Sequence, residues 1–186
     1  KPDFVEVHSN LGNLLRDLGK LQDAELSTRK AIELKPDYSK AHFNLGNVLR
    51  DLGKLKEAEL SYRKAIELNP NFANAHANLG TILQDLGALQ EAELSTRKAI
   101  KLNPNFADAY FNLANTLELL GKREEAKSNW AKAIELNPEE EKSVIALVHN
   151  LCFEQKYELA LKYLNKNQSK SCQSLYLGCL LSLNRE

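Results

Sequence analysis

The sequence predicts an all-α solenoid built from stacked antiparallel helix hairpins. Three observations predict it. All five prolines (Pro2, Pro36, Pro70, Pro104 and Pro138) stand 34 residues apart. Glycine keeps the same step in two registers, Gly12-Gly46-Gly80 and Gly19-Gly53-Gly87-Gly121. So do Ala24, Ala58, Ala92, Ala126 and Ala160, and Leu11, Leu45, Leu79, Leu113 and Leu147. A fixed period of this size marks a duplicated supersecondary unit that cannot bury its apolar face alone and must stack on its neighbours.

Residues 39–72 illustrate each element in order. Ala41, Leu45, Val48, Leu49 and Leu52 follow the i, i+3/i+4, i+7 rhythm of an amphipathic helix. Gly53 ends that helix, because glycine tolerates the left-handed conformation of a helix C-terminus. A second helix runs from about Leu55, with Ala58, Tyr62, Ala65, Ile66 and Leu68 on its apolar side. Asn69-Pro70 stops it, since proline lacks an N–H and disfavours helical geometry in the preceding residue. Gly46 and Ala58 let the two helices approach, and Tyr62 fills space between hairpins.

The unit reads His42-x2-Leu45-Gly46-x2-Leu49, then Ala58-x3-Tyr62, then Pro70. The fourth reads Tyr110-x2-Leu113-Ala114-x2-Leu117, then Ala126-x3-Trp130, then Pro138. This pattern resembles the tetratricopeptide repeat signature, W-x2-L-G-x2-Y, A-x3-F, P. The resemblance covers nearly the whole chain and implies a right-handed superhelical solenoid. Four regular repeats are expected at 5–38, 39–72, 73–106 and 107–140. Residues 1–4 match Lys35-Pro36-Asp37-Tyr38 and read as the end of a preceding repeat. A degenerate fifth repeat is expected at 141–170, with Val148 and Gln155 at the glycine positions and a polar connector from Asn165 to Ser171. Residues 171–186, carrying Leu177, Leu180 and Leu181, read as the first helix of a truncated sixth hairpin. The chain contains no Met, starts at Lys1 and shows no polar cap at either end, so it reads as a piece of a longer protein.

Composition excludes several classes. Lys plus Arg and Asp plus Glu both number 25, so net charge is zero, and clustered positive charge for nucleic acid is missing. No apolar run reaches the about 18 residues of a membrane span, and no signal peptide is visible. Cys152, Cys172 and Cys179 are odd in number and lack paired spacing, which argues for free thiols, a reducing compartment and a cytoplasmic location. The close match of consecutive repeats suggests recent duplication in a bacterial source.

In the family this chain resembles, the first helix of each hairpin lines the concave groove. Two rows stand at groove positions here: Asn10, Asn44, Asn78 and Asn112, and Asn13, Asn47, Thr81 and Asn115. Asparagine is a poor helix former because its amide competes for the backbone. Its side chain both donates and accepts, which matches a peptide backbone. The row resembles the asparagine ladder of the O-linked N-acetylglucosamine transferase repeat domain, where such residues hold substrate peptide. Two readings stay open: a grip on an extended peptide, or a copied residue that bonds its neighbour between repeats. Phe43 and Phe111 are equivalent positions and serve either as anchors for apolar peptide side chains or as packing against the next helix. Arg16 and Arg50 point to an acidic ligand group near the first two repeats, where the later ones carry Gln84 and Glu118. Repeats that clamp a chaperone's carboxylate use a lysine just before the Asn row. Ser9, Phe43, Ala77 and Phe111 stand there, so no such clamp is implied.

No catalytic or metal-binding constellation emerges. His8, His42 and His76 recur at an aromatic packing position, each a full repeat from the next, which does not converge ligands on one ion. No phosphate loop, nucleophile arrangement or cofactor motif stands out. Glu124-Glu125 and Glu139-Glu140-Glu141 read as charges favoured at helix starts. The expected function is a non-enzymatic scaffold that holds a protein or extended peptide. The alternative is the substrate-recruiting arm of a larger modifying enzyme, such as a glycosyltransferase, with catalysis outside these residues. Self-association through uncapped ends is a further expectation.

Overall fold

The computed structural model describes residues 2–165 and 170–183. Among them are eleven α-helices and no strand, in agreement with the all-α hairpin reading. The chain divides into two compact units, Lys1–Asn103 and Pro104–Glu186.

The first unit holds three hairpins: α1 (Pro2–Asp17) with α2 (Leu21–Leu34), α3 (Ser39–Asp51) with α4 (Leu55–Leu68), and α5 (Ala73–Asp85) with α6 (Leu89–Leu102). Within it α2 packs on α3 and α4 on α5, so each hairpin covers the apolar stripe of the next. Leu45, Leu49, Ala58, Tyr62, Leu79, Ile82, Leu83 and Ala92 form one buried cluster across α3 to α6. Gly46 sits where α3 crosses α4. A Cβ there would lie 2.6 Å from Tyr62 Cε1, so glycine is what lets the ring seat between the helices. Residues 2–4 fall inside α1, whereas the equivalent residues 36–38 lie in a turn. Proline is compatible with this because its missing N–H is unneeded in a first helical turn.

The second unit holds α7 (Ala107–Leu119), α8 (Arg123–Leu136), α9 (Glu141–Phe153), α10 (Tyr157–Leu164) and α11 (Lys170–Leu183). The degeneracy seen in the sequence is physical: α10 has 8 residues where α2, α4, α6 and α8 each have 14. Most of the connector after Asn165 lies outside the described residues. On α11, Leu177 and Leu181 are exposed, while Cys172 and Cys179 are buried. None of the three cysteines is in a disulfide. Cys152 Sγ lies 3.1 Å from Cys179 Sγ, and burial, then the neighbouring thiol, pushes Cys152 up to about 12.

The turn between the helices of each hairpin is the same five times. Lys20, Lys54, Ala88, Lys122 and Lys156 each donate a backbone N–H to the carbonyl five residues earlier, at 2.8–2.9 Å. This closure needs a left-handed residue before the donor. Gly121 supplies it with φ 76°, and Gln155 supplies it in α9–α10 with φ 59°, so the motif survives loss of the glycine.

Candidate functional site

The first helices of the hairpins position the asparagine rows. In the first unit Asn10 on α1 is exposed, Asn44 on α3 is buried and Asn78 on α5 is half-buried. Asn44 Nδ2 donates to Ser9 Oγ at 2.9 Å, and Asn78 Nδ2 donates to Asn47 Oδ1 at 2.8 Å. Each bond crosses from one hairpin to the one before it. In both, the amide donor is engaged between repeats, the second of the two readings of this row, and the side chain's orientation is fixed.

The second row works within hairpins. Asn47 Oδ1 accepts from the Tyr62 hydroxyl at 2.8 Å, and in the second unit Asn115 Oδ1 accepts from Trp130 Nε1 at 3.0 Å. Both join the first helix of a hairpin to the residue 15 positions on in the second helix. Burial pushes the Tyr62 phenol up to about 12, so it stays protonated and donates. Asn13 has Thr28 at the matching place. Thr28 turns its hydroxyl to Ala24 O, and Asn13 Oδ1 is left buried with no partner. Thr81 donates to Ala77 O at 3.3 Å. Asn112 is half-buried on α7.

Phe43 packs against Phe72, with ring centroids 4.7 Å apart, and against Tyr62 at 5.9 Å. Phe111 is half-buried on α7. Arg16 and Arg50 come together on one carboxylate. Arg50 Nη2 lies 3.1 Å from Asp51 Oδ1 and Arg16 Nε 3.5 Å from Asp51 Oδ2, with Asp17 also 3.0 Å from Arg16. Two cations face two carboxylates, which weakens this pair as an anion site. The histidines tie turns to helices: His42 Nε2 donates to Pro36 O at 2.8 Å and His76 Nε2 to Pro70 O at 3.1 Å. Burial, outweighing the bond to Pro70, lowers the His76 pKa.

Sequence reasoning missed a cavity of about 350 Å³ in the second unit, between α7, α8 and α9. Glu118, Arg123, Trp130, His149 and Phe153 line it. Phe153 is 77% exposed, and the Arg123 guanidinium lies 5.6 Å from its ring centroid. The signal was present in one row. Asp17, Asp51 and Asp85 become Leu119 and Phe153 at the same register. Among the described residues no group of three His, Cys, Asp or Glu could hold a metal ion, and no helix is long and apolar enough to cross a membrane.

Known proteins match this architecture. Models of the tetratricopeptide repeat match residues 5–38 and 73–106, and residues 28–59 and 96–128, while a TPR repeat model matches 46–87. No curated protein sequence matches significantly. Among solved structures, PilF of Pseudomonas aeruginosa is 22% identical, covers 98% of this chain and 91% of its own, and has a TM-score of 0.83. MamA is 22% identical, with coverage of 94% and 95% and a TM-score of 0.74. YrrB, described as a TPR protein with an unusual peptide-binding site, is 26% identical, with coverage of 96% and 89% and a TM-score of 0.70. Residues 5–128 of this chain are tetratricopeptide repeats.

Proposed function

We propose that this chain is a protein-interaction scaffold that holds an extended peptide along the first helices of its hairpins. One observation carries the reading. Half-buried Asn78 is locked by a bond from Nδ2 to Asn47 of the preceding hairpin, which orients its Oδ1 as an acceptor for a peptide N–H, and buried Asn44, bonded in the same way to Ser9, holds the row in register. Preorganised side chains lose little entropy on binding, so a fixed amide grips better than a free one. The tetratricopeptide repeats and the likeness to YrrB, itself described by its peptide-binding site, support the same reading. The resemblance of the rows to those of a glycosyltransferase repeat domain supports a substrate-recruiting use within it.

The test is a screen of the chain against a library of extended peptides, beside a variant carrying Asn44→Ala, Asn78→Ala and Asn112→Ala, with circular dichroism to confirm that both fold. Peptides that bind the parent should bind the variant at least about tenfold more weakly, the loss of one or two charge-free hydrogen bonds. Equal binding by a folded variant removes the asparagines from the grip.

A further inference from the structure

The pocket of the second unit contains a carboxylate whose two oxygens are not both satisfied. Glu118 Oε2 is buried and has no hydrogen-bond partner. Glu118 Oε1 faces Arg123 Nε at 3.7 Å, an ion pair too long for a hydrogen bond. Arg123 is itself 57% exposed at its side chain, so little holds it in place. Its guanidinium nevertheless lies over the face of Phe153, the geometry of a cation–π contact. Trp130 lines the same cavity, with its indole N–H turned to Asn115. At about 350 Å³ the cavity falls in the lower part of the range for ligand pockets.

We infer that this pocket binds a cationic side chain, of the arginine or lysine type, of a peptide ligand. The inference rests on the peptide-binding reading above. A buried carboxylate oxygen without a donor is costly, and a ligand N–H supplies the missing bond once the exposed Arg123 side chain moves aside. A charged donor on a carboxylate makes a stronger bond than a neutral one. The exposed face of Phe153 takes the cation from the other side, as it already does for Arg123. Arg123 acts as a loose internal occupant that an arriving cation displaces. An acidic ligand group would meet Arg123 but also the Glu118 carboxylate, whose repulsion opposes it. The charge preference is the reverse of the one expected at Arg16 and Arg50.

Trp130 is the chain's one tryptophan, so its fluorescence reads this pocket directly. The probes are three capped tripeptides, glycine-arginine-glycine and its citrulline and glutamate counterparts, titrated into the whole chain. The arginine peptide should shift the emission saturably. The citrulline and glutamate peptides should bind about tenfold more weakly or not at all. Glu118→Gln, checked for folding by circular dichroism, should weaken the arginine peptide by about tenfold, and Arg123→Ala should tighten it. A glutamate peptide that binds as well as the arginine peptide overturns the assignment. So does a folded Glu118→Gln chain with unchanged affinity. If arginine and citrulline peptides bind equally and Asn44→Ala weakens both, the cation pocket falls and the peptide scaffold stands. If no peptide binds anywhere on the chain, both fall.

Discussion

The first helices of the two units share a backbone and differ in what they show to solvent. The last turn reads Arg16-Asp17, Arg50-Asp51 and Gln84-Asp85 in the first unit, and Glu118-Leu119 and Cys152-Phe153 in the second. In the first, arginines share Asp51; in the second, a carboxylate with one oxygen lacking a hydrogen bond lies beside exposed aromatic and aliphatic surface. The buried side hardly changes: Ala24, Ala58, Ala92, Ala126 and Ala160 are all fully buried. Close packing penalises any change of core volume, while an exposed face tolerates substitution. Duplication therefore preserved the stacking positions and left the solvent face free to acquire separate chemistries.

The comparison can be broken hardest at the shared packing position. Tyr62 is fully buried against Gly46. Tyr62→Ala should cost about 3–5 kcal/mol, the usual range for a large buried aromatic. Denaturant unfolding checks it, and a cost under about 1 kcal/mol would mean the hairpins do not depend on this contact. The next test uses one residue type at one register. Asn47→Ala leaves the buried Tyr62 hydroxyl without its acceptor and should cost about 1–3 kcal/mol. Asn13→Ala removes a buried acceptor that has no partner and gains helix propensity, so it should be neutral or stabilising by up to about 1 kcal/mol. Opposite signs at equivalent asparagines would sharpen the account; equal losses would contradict it.

Much of the fold was legible in the sequence. The 34-residue step of proline and glycine placed the turns, and Gly53 and Gly121 do adopt the left-handed conformation that such turns use. Gln155 was legible as a departure, but that it would keep the same turn was not, because a non-glycine residue reaches positive φ only when surrounding packing imposes it. The site was less legible. Periodicity identifies which residues share a face, yet it is silent on which amide finds a partner. Asn44 reaches Ser9 and Asn47 holds Tyr62 because of side-chain lengths on neighbouring helices, not because of their own spacing. The pocket was hidden for the same reason, since Glu118, Trp130 and Phe153 come from three helices.

Two smaller effects separate the units further. Gln155→Gly should stabilise the chain by about 1 kcal/mol, because glycine carries no penalty in the left-handed region. Thermal unfolding should show a raised midpoint, and a lowered one would mean the glutamine side chain makes a compensating contact. The last effect is electrostatic. Bonds from Lys127 and then Lys156 hold the Glu154 carboxyl at about 2, below its usual value. On Lys127, burial opposes the charge, but its bonds to Glu124 and Glu154 outweigh it and raise that ammonium. A depressed carboxyl contributes stability that is complete above its unfolded pKa of about 4.5 and is lost as pH falls toward 2. Stability should therefore drop from pH 5 to pH 2, with a shallower drop in Glu154→Gln. Parallel profiles would show that this lysine–glutamate cluster adds nothing.

The central claim is that fixed side-chain amides on the first helices hold peptide backbone. The most direct measurement is to follow the side-chain amide resonances of the isotope-labelled chain by NMR while an extended peptide from the screen is added. The account predicts that the Asn44 and Asn78 signals shift and saturate with the peptide, while those of Asn69 and Asn137, at the ends of second helices, stay in place. A peptide that binds without moving Asn44 or Asn78 would contradict it.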